Sequence, residues 1–146
     1  MSPTGHLVSS LIGAGIIYSI FGSFISAVIF FISGVFIDLD HIFDYVRQYG
    51  LKSLNIRTLS EICYEHKLDK LTIIFHSFEF LLILWIFITI FKLNIFWIAL
   101  ALGISVHLII DQLSNGTFAL SYFLTYRWIK HFNTKELFFE KGIKDR

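Results

Sequence analysis

The chain has 146 residues, of which 55% are hydrophobic, 18% aromatic and only 16% charged. Soluble domains carry about 25% charged residues, and a chain this short needs polar side chains to cover its surface. The composition therefore argues against a soluble domain, the net charge of +1 against nucleic-acid binding, and the single cysteine against an internal disulfide. We expect residues 1–146 to form a single membrane-embedded domain.

The first 37 residues contain no acidic side chain, lysine or arginine. This stretch is too long for one membrane span, which needs about 20 residues. It predicts two helices, Pro3 to Phe21 and Phe24 to Ile37, with Ser2 as the N-cap of the first. The second helix is expected to continue through residues 38–41 into the headgroup region.

A charged connector over residues 38–70 separates these helices from the next apolar segments, and it predicts a helix from Thr58 to His66. The third apolar segment, Leu71 to Phe91, predicts a span that Asp69 caps. The fourth predicts a helix from Ile95 to Leu113, capped by Asn94 and ended by Ser114-Asn115-Gly116, because Asn and Gly tolerate the left-handed conformation.

The tail from Thr117 to Trp128 is aromatic and then becomes basic. Tyr and Trp favour the boundary between membrane and water, so the segment predicts an interfacial or partly buried helix, with a short fifth span as the alternative. The expected fold class is all-α: an integral membrane helical bundle of about four transmembrane helices plus an interfacial C-terminal helix.

The titratable residues occupy four places that alternating spans bring to one side of the membrane. These are the start of the first span, the end of the second, the start of the third and the end of the fourth. An ionisable residue inside a span costs about 2.5 to 3.5 kcal/mol unless it is paired or hydrated, and a shared cation would compensate several at once. The candidate metal ligands are His6, Asp38, Asp40, His41, His76, Glu79, His107 and Asp111.

Helical spacing and the charges of the loops indicate which helix face and which side of the membrane this cluster occupies. His107 and Asp111 lie four residues apart on one helix face, which continues back to the small residues Gly103 and Ala99. Eleven of the twelve Lys and Arg residues fall on the ligand side, and only Lys92 falls opposite. The positive-inside rule then predicts a multi-pass protein of the cell (inner) membrane whose metal site faces the cytoplasm.

Four segments in this order resemble the motifs of the YdjM-like family of membrane-bound, metal-dependent hydrolases. They are Thr4-Gly5-His6, Ile37-Asp38-Leu39-Asp40-His41, Phe75-His76-Ser77-Phe78-Glu79, and the run from His107 to Gly116. That family is distantly similar to zinc-dependent phospholipase C and the single-strand-specific zinc nucleases. The resemblance implies an all-helical site with two or three metal ions and hydrolysis of phosphoesters, but assigns no role to His66.

Histidine and carboxylate ligands without thiolate suit zinc, with manganese or iron as alternatives. We expect metal-activated water to attack phosphorus, Asp40 to orient or deprotonate that water, and Arg127 or nearby tail cations to hold the phosphate. Membrane lipids are the expected partners, and the substrate would be a lipid or lipid-linked phosphate, or a soluble phosphoester.

Two other function classes use the same residue types. A haem-binding electron carrier could use His76 and His107 as axial ligands, but it needs no surrounding carboxylates. A metal or proton transporter would use such residues as a pathway. It would also need polar groups along the whole path, whereas the opposite ends of the predicted spans carry few.

Overall fold

A computed structural model of the protein describes residues 3–53, 55, 58–59, 62 and 67–138. Within these ranges the chain is helical and forms no strand, which confirms the predicted all-α class. The α-helices are α1 Pro3–Phe21, α2 Phe24–Phe36, α3 His41–Tyr49, α4 Phe78–Ile90, α5 Ile95–Ser114 and α6 Leu124–Ile129. Short 3-10 helices cover Ile37–Asp40, Leu51–Ser53 and Thr134–Glu136.

Three helical stretches among the described residues are long and apolar enough to cross a membrane: Thr4–Phe21, Phe24–Tyr49 and Ile95–Ser114. The second combines α2, a 3-10 turn and α3, so the predicted continuation past Ile37 is confirmed. Helix α4 has 13 residues and therefore spans about 20 Å, less than the roughly 30 Å hydrocarbon core. The described part of the chain thus contains three candidate spans and one shorter apolar helix.

Several predicted helix ends are confirmed by their capping contacts. Helix α1 ends at Phe21 and α2 starts at Phe24, where the Ser23 side chain accepts a hydrogen bond from the Ser26 backbone N–H. Asn94 caps α5 by accepting from the N–H of Phe96. After α5, Gly116 adopts a φ of 59°, the left-handed conformation expected there. The predicted cap Ser2 lies outside the described residues.

The third apolar segment departs from the prediction. Its helix begins at Phe78 rather than Leu71, and Ser77, not Asp69, accepts the capping hydrogen bond, from the N–H of Phe80. Residues 71–77 are not helical because their backbone groups bond to distant side chains, as described below. Most of the predicted helix from Thr58 to His66 lies outside the described residues.

The tail is also less helical than predicted. Residues 119–122 form a turn, and within residues 117–128 the α-helix begins only at Leu124. An isolated bridge pairs Lys70 of the connector with Asn133 of the tail, and a second bridge pairs Thr117 with Phe138 within the tail. Its contacts build a separate apolar cluster of Leu68, Leu71, Ile73, Leu137 and Phe138.

Helices α1, α2 and α5 pack along small residues, as the sequence predicted. A Cβ on Gly103 would lie 2.5 Å from the backbone oxygen of Phe30, and one on Gly34 would lie 2.7 Å from Oγ of Ser10. Ala99 is fully buried in the same seam. Phe30 of α2 lies beside Gly103 of α5, and Gly34 lies beside His107. The two helices therefore run parallel, and their C-terminal ends meet on one side.

The outer surface of the bundle is apolar. Many large hydrophobic side chains of α1, α2 and α4 are more than half exposed, including Leu11, Ile12, Ile20, Phe24, Ile25, Leu82, Ile83 and Ile90. An apolar surface this extensive is unstable in water and fits contact with lipid. The inner face, by contrast, contains the buried polar residues that form the site.

We expect Gly103→Ala to destabilise the bundle by roughly 1–3 kcal/mol, because the added methyl group would overpack the seam between α2 and α5. A Cβ there would meet both Phe30 and the side chain of Ser33. Thermal unfolding in mild detergent measures the change. Gly15→Ala is the matched control, since a Cβ on Gly15 meets nothing within 4 Å. Equal stability of the two variants would contradict the close packing.

Candidate metal centre

Four side chains from three parts of the chain converge at the end of the bundle where α2 and α5 finish. Nε2 of His76 lies 3.2 Å from Nε2 of His107 and 3.1 Å from Oδ1 of Asp38. Nε2 of His107 lies 3.4 Å from Oδ1 of Asp38 and 3.3 Å from Oδ2 of Asp111. The four ligand atoms all lie within 4.8 Å of one another, so this group could hold a metal ion.

Four of the six distances between these atoms lie near those expected around a tetrahedral metal ion. With metal–nitrogen and metal–oxygen bonds of about 2.0 to 2.2 Å, two neighbouring ligand atoms stand roughly 3.3 to 3.5 Å apart. The closest contacts among Asp38, His76, His107 and Asp111 lie between 3.1 and 3.4 Å. The residues therefore fit a divalent cation in their spacing as well as in their chemistry.

A backbone contact fixes the orientation of the His107 ring. Its Nδ1 lies 2.7 Å from the carbonyl oxygen of Gly34 and donates a hydrogen bond to it. A proton on Nδ1 leaves Nε2 of the neutral ring with a free lone pair directed at the other ligands. Such a second contact commonly orients histidines that bind metals.

His6 joins the centre from the start of α1. Its ring stacks on His107 with centroids 4.1 Å apart, and its Nε2 lies 2.9 Å from Oδ1 of Asp111. Asp111 thus faces His107 with one oxygen and His6 with the other. The structure places His6 against the four-residue group, and the side chain is only 5% exposed.

The 3-10 turn over Ile37–Asp40 brings two aspartates to one histidine. Residues two apart are separated by about 160° around an α-helix but by about 120° in a 3-10 helix, which has three residues per turn. Asp38 faces Nε2 of His76, and Oδ1 of Asp40 lies 2.9 Å from Nδ1 of the same ring. Oδ1 of Asp40 also accepts a contact of 3.1 Å from Nδ1 of His41.

Two buried charged residues hold the non-helical segment that carries His76. Oδ2 of Asp44 accepts hydrogen bonds from the N–H groups of Thr72 and Ile73 at 2.6 and 3.2 Å. From the other side, the Arg127 guanidinium donates to the carbonyl oxygens of Thr72, Ile73 and His76. These bonds replace the helical ones and explain why the helix starts late.

Arg127 and Glu79, which the sequence predicted as site residues, make their contacts elsewhere. Both terminal nitrogens of Arg127 are engaged with backbone carbonyls, and the side chain is 1% exposed. The Glu79 carboxylate accepts from the N–H groups of Leu124 and Thr125 and from the Thr125 hydroxyl. Neither residue lies in the groups of candidate ligands; Arg127 positions the His76 segment and Glu79 anchors the tail.

The sequence did not predict that Asp44 holds the segment that carries His76. Its side chain is 1% exposed although it lies in a charged stretch of the chain that reads as water-exposed. The available signal was its spacing, because Asp44 lies three residues before Arg47, whose guanidinium is 3.0 Å from Oδ1 of Asp44. That spacing alone does not reveal that the other oxygen binds a backbone segment 28 residues away.

Without a metal, the surroundings of His76 favour its protonated form. Burial lowers the pKa of this histidine, but the carboxylates of Asp38 and Asp40 outweigh burial and raise the pKa to about 9. Below pH 9 a metal must therefore displace a proton from the ring. We expect the zinc affinity to rise about tenfold per pH unit between pH 6.5 and 8.5 for each displaced proton.

Zinc titration at several pH values, with proton release measured from buffers of different ionisation enthalpy, checks this expectation. The zinc affinity should increase with pH because the His76 ring is protonated at low pH and loses that proton at high pH, when it can bind the metal. An affinity that does not change with pH would contradict displacement of a proton from His76.

Comparison with known proteins finds no matching family model, no similar curated protein and no similar solved structure. The functional interpretation therefore depends on the residues and the geometry described above.

Proposed function

We propose that the protein is a membrane-bound, metal-dependent hydrolase that acts on phosphoesters, as the motifs of the YdjM-like family suggest. The observation that carries the proposal is the convergence of the two Nε2 atoms of His76 and His107 with the carboxylates of Asp38 and Asp111 at metal-ligand spacing. A divalent ion held there, most simply zinc, would supply Lewis acidity to water and to a phosphoryl oxygen.

The chain's own residues would orient the ligands and limit access. Gly34 and Asp40 face the outer nitrogens of His107 and His76, so the rings are held in position for binding. The side chain of Asp38 is 43% exposed, whereas those of His76, His107 and Asp111 are nearly fully buried. Substrate would therefore approach on the Asp38 side. The role of Asp40 in orienting water stays a prediction.

Exposed apolar side chains close in the chain to Asp38 and Asp111 support an amphiphilic substrate. Phe36 and Leu39 flank Asp38 in the chain and are more than half exposed, and Leu113, two residues after Asp111, is 81% exposed. A lipid or lipid-linked phosphate would place its chain against such side chains and its phosphate near Asp38. The basic residues on the same side support a cytoplasmic orientation in the cell membrane.

The haem alternative fits this geometry less well. His76 and His107 would have to bind opposite faces of a macrocycle, yet their Nε2 atoms lie 3.2 Å apart. Asp38 and Asp111 lie within 3.4 Å of His107 Nε2, where the macrocycle would have to pass. The transport alternative needs a polar path, but the seam leading away from the site is closed by the buried Ala14, Ile17, Ala27, Phe30 and Ala99.

Purified protein in mild detergent tests the proposal. We expect bound zinc, manganese or iron, and hydrolysis of phosphatidate dispersed in detergent that stops after chelation and returns when zinc is added. A Soret band without stoichiometric metal would support the haem carrier instead. Bound metal with no hydrolysis of phosphatidate, a lipid-linked pyrophosphate or p-nitrophenyl phosphate would contradict the hydrolase and leave the metal centre standing.

A further inference from the structure

A buried tyrosine of the tail, Tyr122, lies beside the helix ends that carry the candidate ligands. It belongs to the same packed cluster as Ile37 and Leu108, and only 7% of its surface is exposed. Ile37 directly precedes Asp38 in the chain, and Leu108 directly follows His107. The tail thus brings a phenol against two of the segments that form the metal centre.

Hydrogen bonds join Tyr122 to the segments that carry the other two ligands. Its carbonyl oxygen accepts a bond of 2.9 Å from the N–H of Phe78, which lies two residues after His76. Its hydroxyl oxygen accepts a bond of 2.9 Å from Nδ2 of Asn115. The backbone N–H of Asn115 in turn donates to the carbonyl oxygen of Asp111 at 3.0 Å. Segments that carry all four candidate ligands therefore surround this one tyrosine.

The contact with Asn115 determines what the Tyr122 hydroxyl can do. A phenolic hydroxyl has one proton to donate and lone pairs that accept. Since the Asn115 amide occupies the accepting side, the proton points away from it. Within the part of the chain that the structure describes, that proton meets no acceptor at hydrogen-bond distance. Buried polar groups are normally paired, so the free O–H is suited to a ligand.

The phenol of Tyr122 stays protonated at neutral pH. Burial raises the pKa of Tyr122 well above its ordinary value, and the nearby carboxylates of Asp111 and Asp38 raise it further because they disfavour another negative charge. These carboxylates are two of the candidate ligands, so the hydroxyl lies within electrostatic range of the centre. The site therefore includes a neutral O–H donor.

The tyrosine is held in place before any ligand binds. The Glu79 carboxylate accepts a hydrogen bond of 2.8 Å from the N–H of Leu124. On the other side of Tyr122, the Ser121 hydroxyl donates to the carbonyl oxygen of Leu137 at 2.6 Å. These bonds fix the residues on both sides of Tyr122, so binding does not have to order a mobile donor.

We propose that the Tyr122 hydroxyl donates a hydrogen bond to a non-bridging oxygen of the phosphoryl group that the centre binds, with Asn115 as the residue that positions the hydroxyl. The inference deepens the proposed function and rests on it. It gives Tyr122 the contact with phosphate that the sequence predicted for Arg127, whose terminal nitrogens bind backbone carbonyls instead. A preorganised donor at this place stabilises negative charge on the phosphoryl oxygen.

Phosphate binding tests the inference separately from hydrolysis. Full-length protein in mild detergent is loaded with zinc and titrated with inorganic phosphate by calorimetry. We expect Tyr122→Phe to keep the zinc affinity of the wild type and to bind phosphate at least about tenfold more weakly, because a hydrogen bond to a charged group is lost. The kcat for phosphatidate should fall about 100-fold, as when one donor to transition-state charge is removed.

Tyr126→Phe is the matched control, because it removes the same hydroxyl from the same tail. Tyr126 packs against the separate cluster around Leu71 and Leu137, and the variant should bind phosphate as the wild type does. Asn115→Ala should weaken phosphate binding in the wild type but have no further effect in Tyr122→Phe. A purely structural role of Asn115 would not produce that dependence. If Tyr122→Phe does not fold, Asn115→Ala alone decides the outcome.

The outcomes separate this inference from the proposed function. Wild-type phosphate affinity in Tyr122→Phe, or no phosphate binding by the zinc-loaded wild type, would overturn the inference. A lower zinc affinity in Tyr122→Phe would also overturn it, because the hydroxyl would then support the metal centre itself. Weaker phosphate binding with unchanged phosphatidate hydrolysis would place the substrate phosphoryl group elsewhere and overturn it too. Weaker phosphate binding in a protein that hydrolyses no phosphoester would support the contact and contradict the hydrolase.

Discussion

Replacing Asp111 with asparagine should lower the zinc affinity by more than about 100-fold. Even the outer partners of metal ligands contribute 10- to 100-fold to affinity, and Asp111 would bind the metal directly. Its two oxygens face His107 and His6 at 3.3 and 2.9 Å, so loss of the charge affects both contacts. Competition with a chromophoric zinc chelator measures the change, and phosphatidate hydrolysis should fall with the bound metal.

The matched control is Glu136→Gln, which makes the same change in an exposed carboxylate that pairs with Lys130. It should bind zinc as the wild type does. Wild-type affinity in Asp111→Asn would show that the buried carboxylate serves only the two histidines, and the metal centre would then have to be abandoned.

Replacing Arg127 with methionine should unfold the segment that carries His76. The substitution preserves apolar bulk but leaves the carbonyl oxygens of Thr72, Ile73 and His76 without their donor. Each unpaired buried carbonyl costs about 1–3 kcal/mol, so we expect a loss of roughly 3 kcal/mol or more. Thermal unfolding followed by circular dichroism measures the loss, and zinc affinity should decrease with it.

Lys130→Met is the comparison for this variant, because Lys130 is a nearby cation whose partner Glu136 lies on the surface at 3.0 Å. Surface ion pairs contribute little, so no measurable change is expected. If Arg127→Met kept wild-type stability and zinc affinity but lost phosphatidate hydrolysis, the phosphate-binding role predicted from sequence would be supported instead of the structural one.

A comparison of His107 with Arg127 shows which parts of the candidate site can be predicted from the sequence. His107 and Asp111 are one helical turn apart inside an apolar helix, so their shared face and their place at its end follow from local periodicity. The predicted alternation of spans then places His6, Asp38 and His76 at the same end. These predictions depend on helix geometry and on that alternation, and the structure brings all five residues together.

The residues whose placement was not foreseen depend on contacts between distant parts of the chain. Leu71 to Ser77 is as apolar as a helix start, but its backbone bonds to Asp44 and Arg127 keep it non-helical. The 3-10 turn at Ile37–Asp40 likewise leaves no mark in hydrophobic periodicity. Glu79 has the side-chain type of a metal ligand and lies near His76 in the chain. The hydrogen bond that its carboxylate accepts from the Thr125 N–H in the tail is visible only in the three-dimensional structure.

The unequal exposure of the four candidate ligands Asp38, His76, His107 and Asp111 also has a kinetic consequence. Because Asp38 is the one member of that group with a substantially exposed side chain, a competing chelator can reach the ion from one direction only. Exchange would otherwise wait for α2 and α5 to separate along a seam that leaves no room for a methyl group at Gly103. Bound metal should therefore leave slowly, and the metal found in the purified protein would record which ion was abundant when the bundle assembled in the cell.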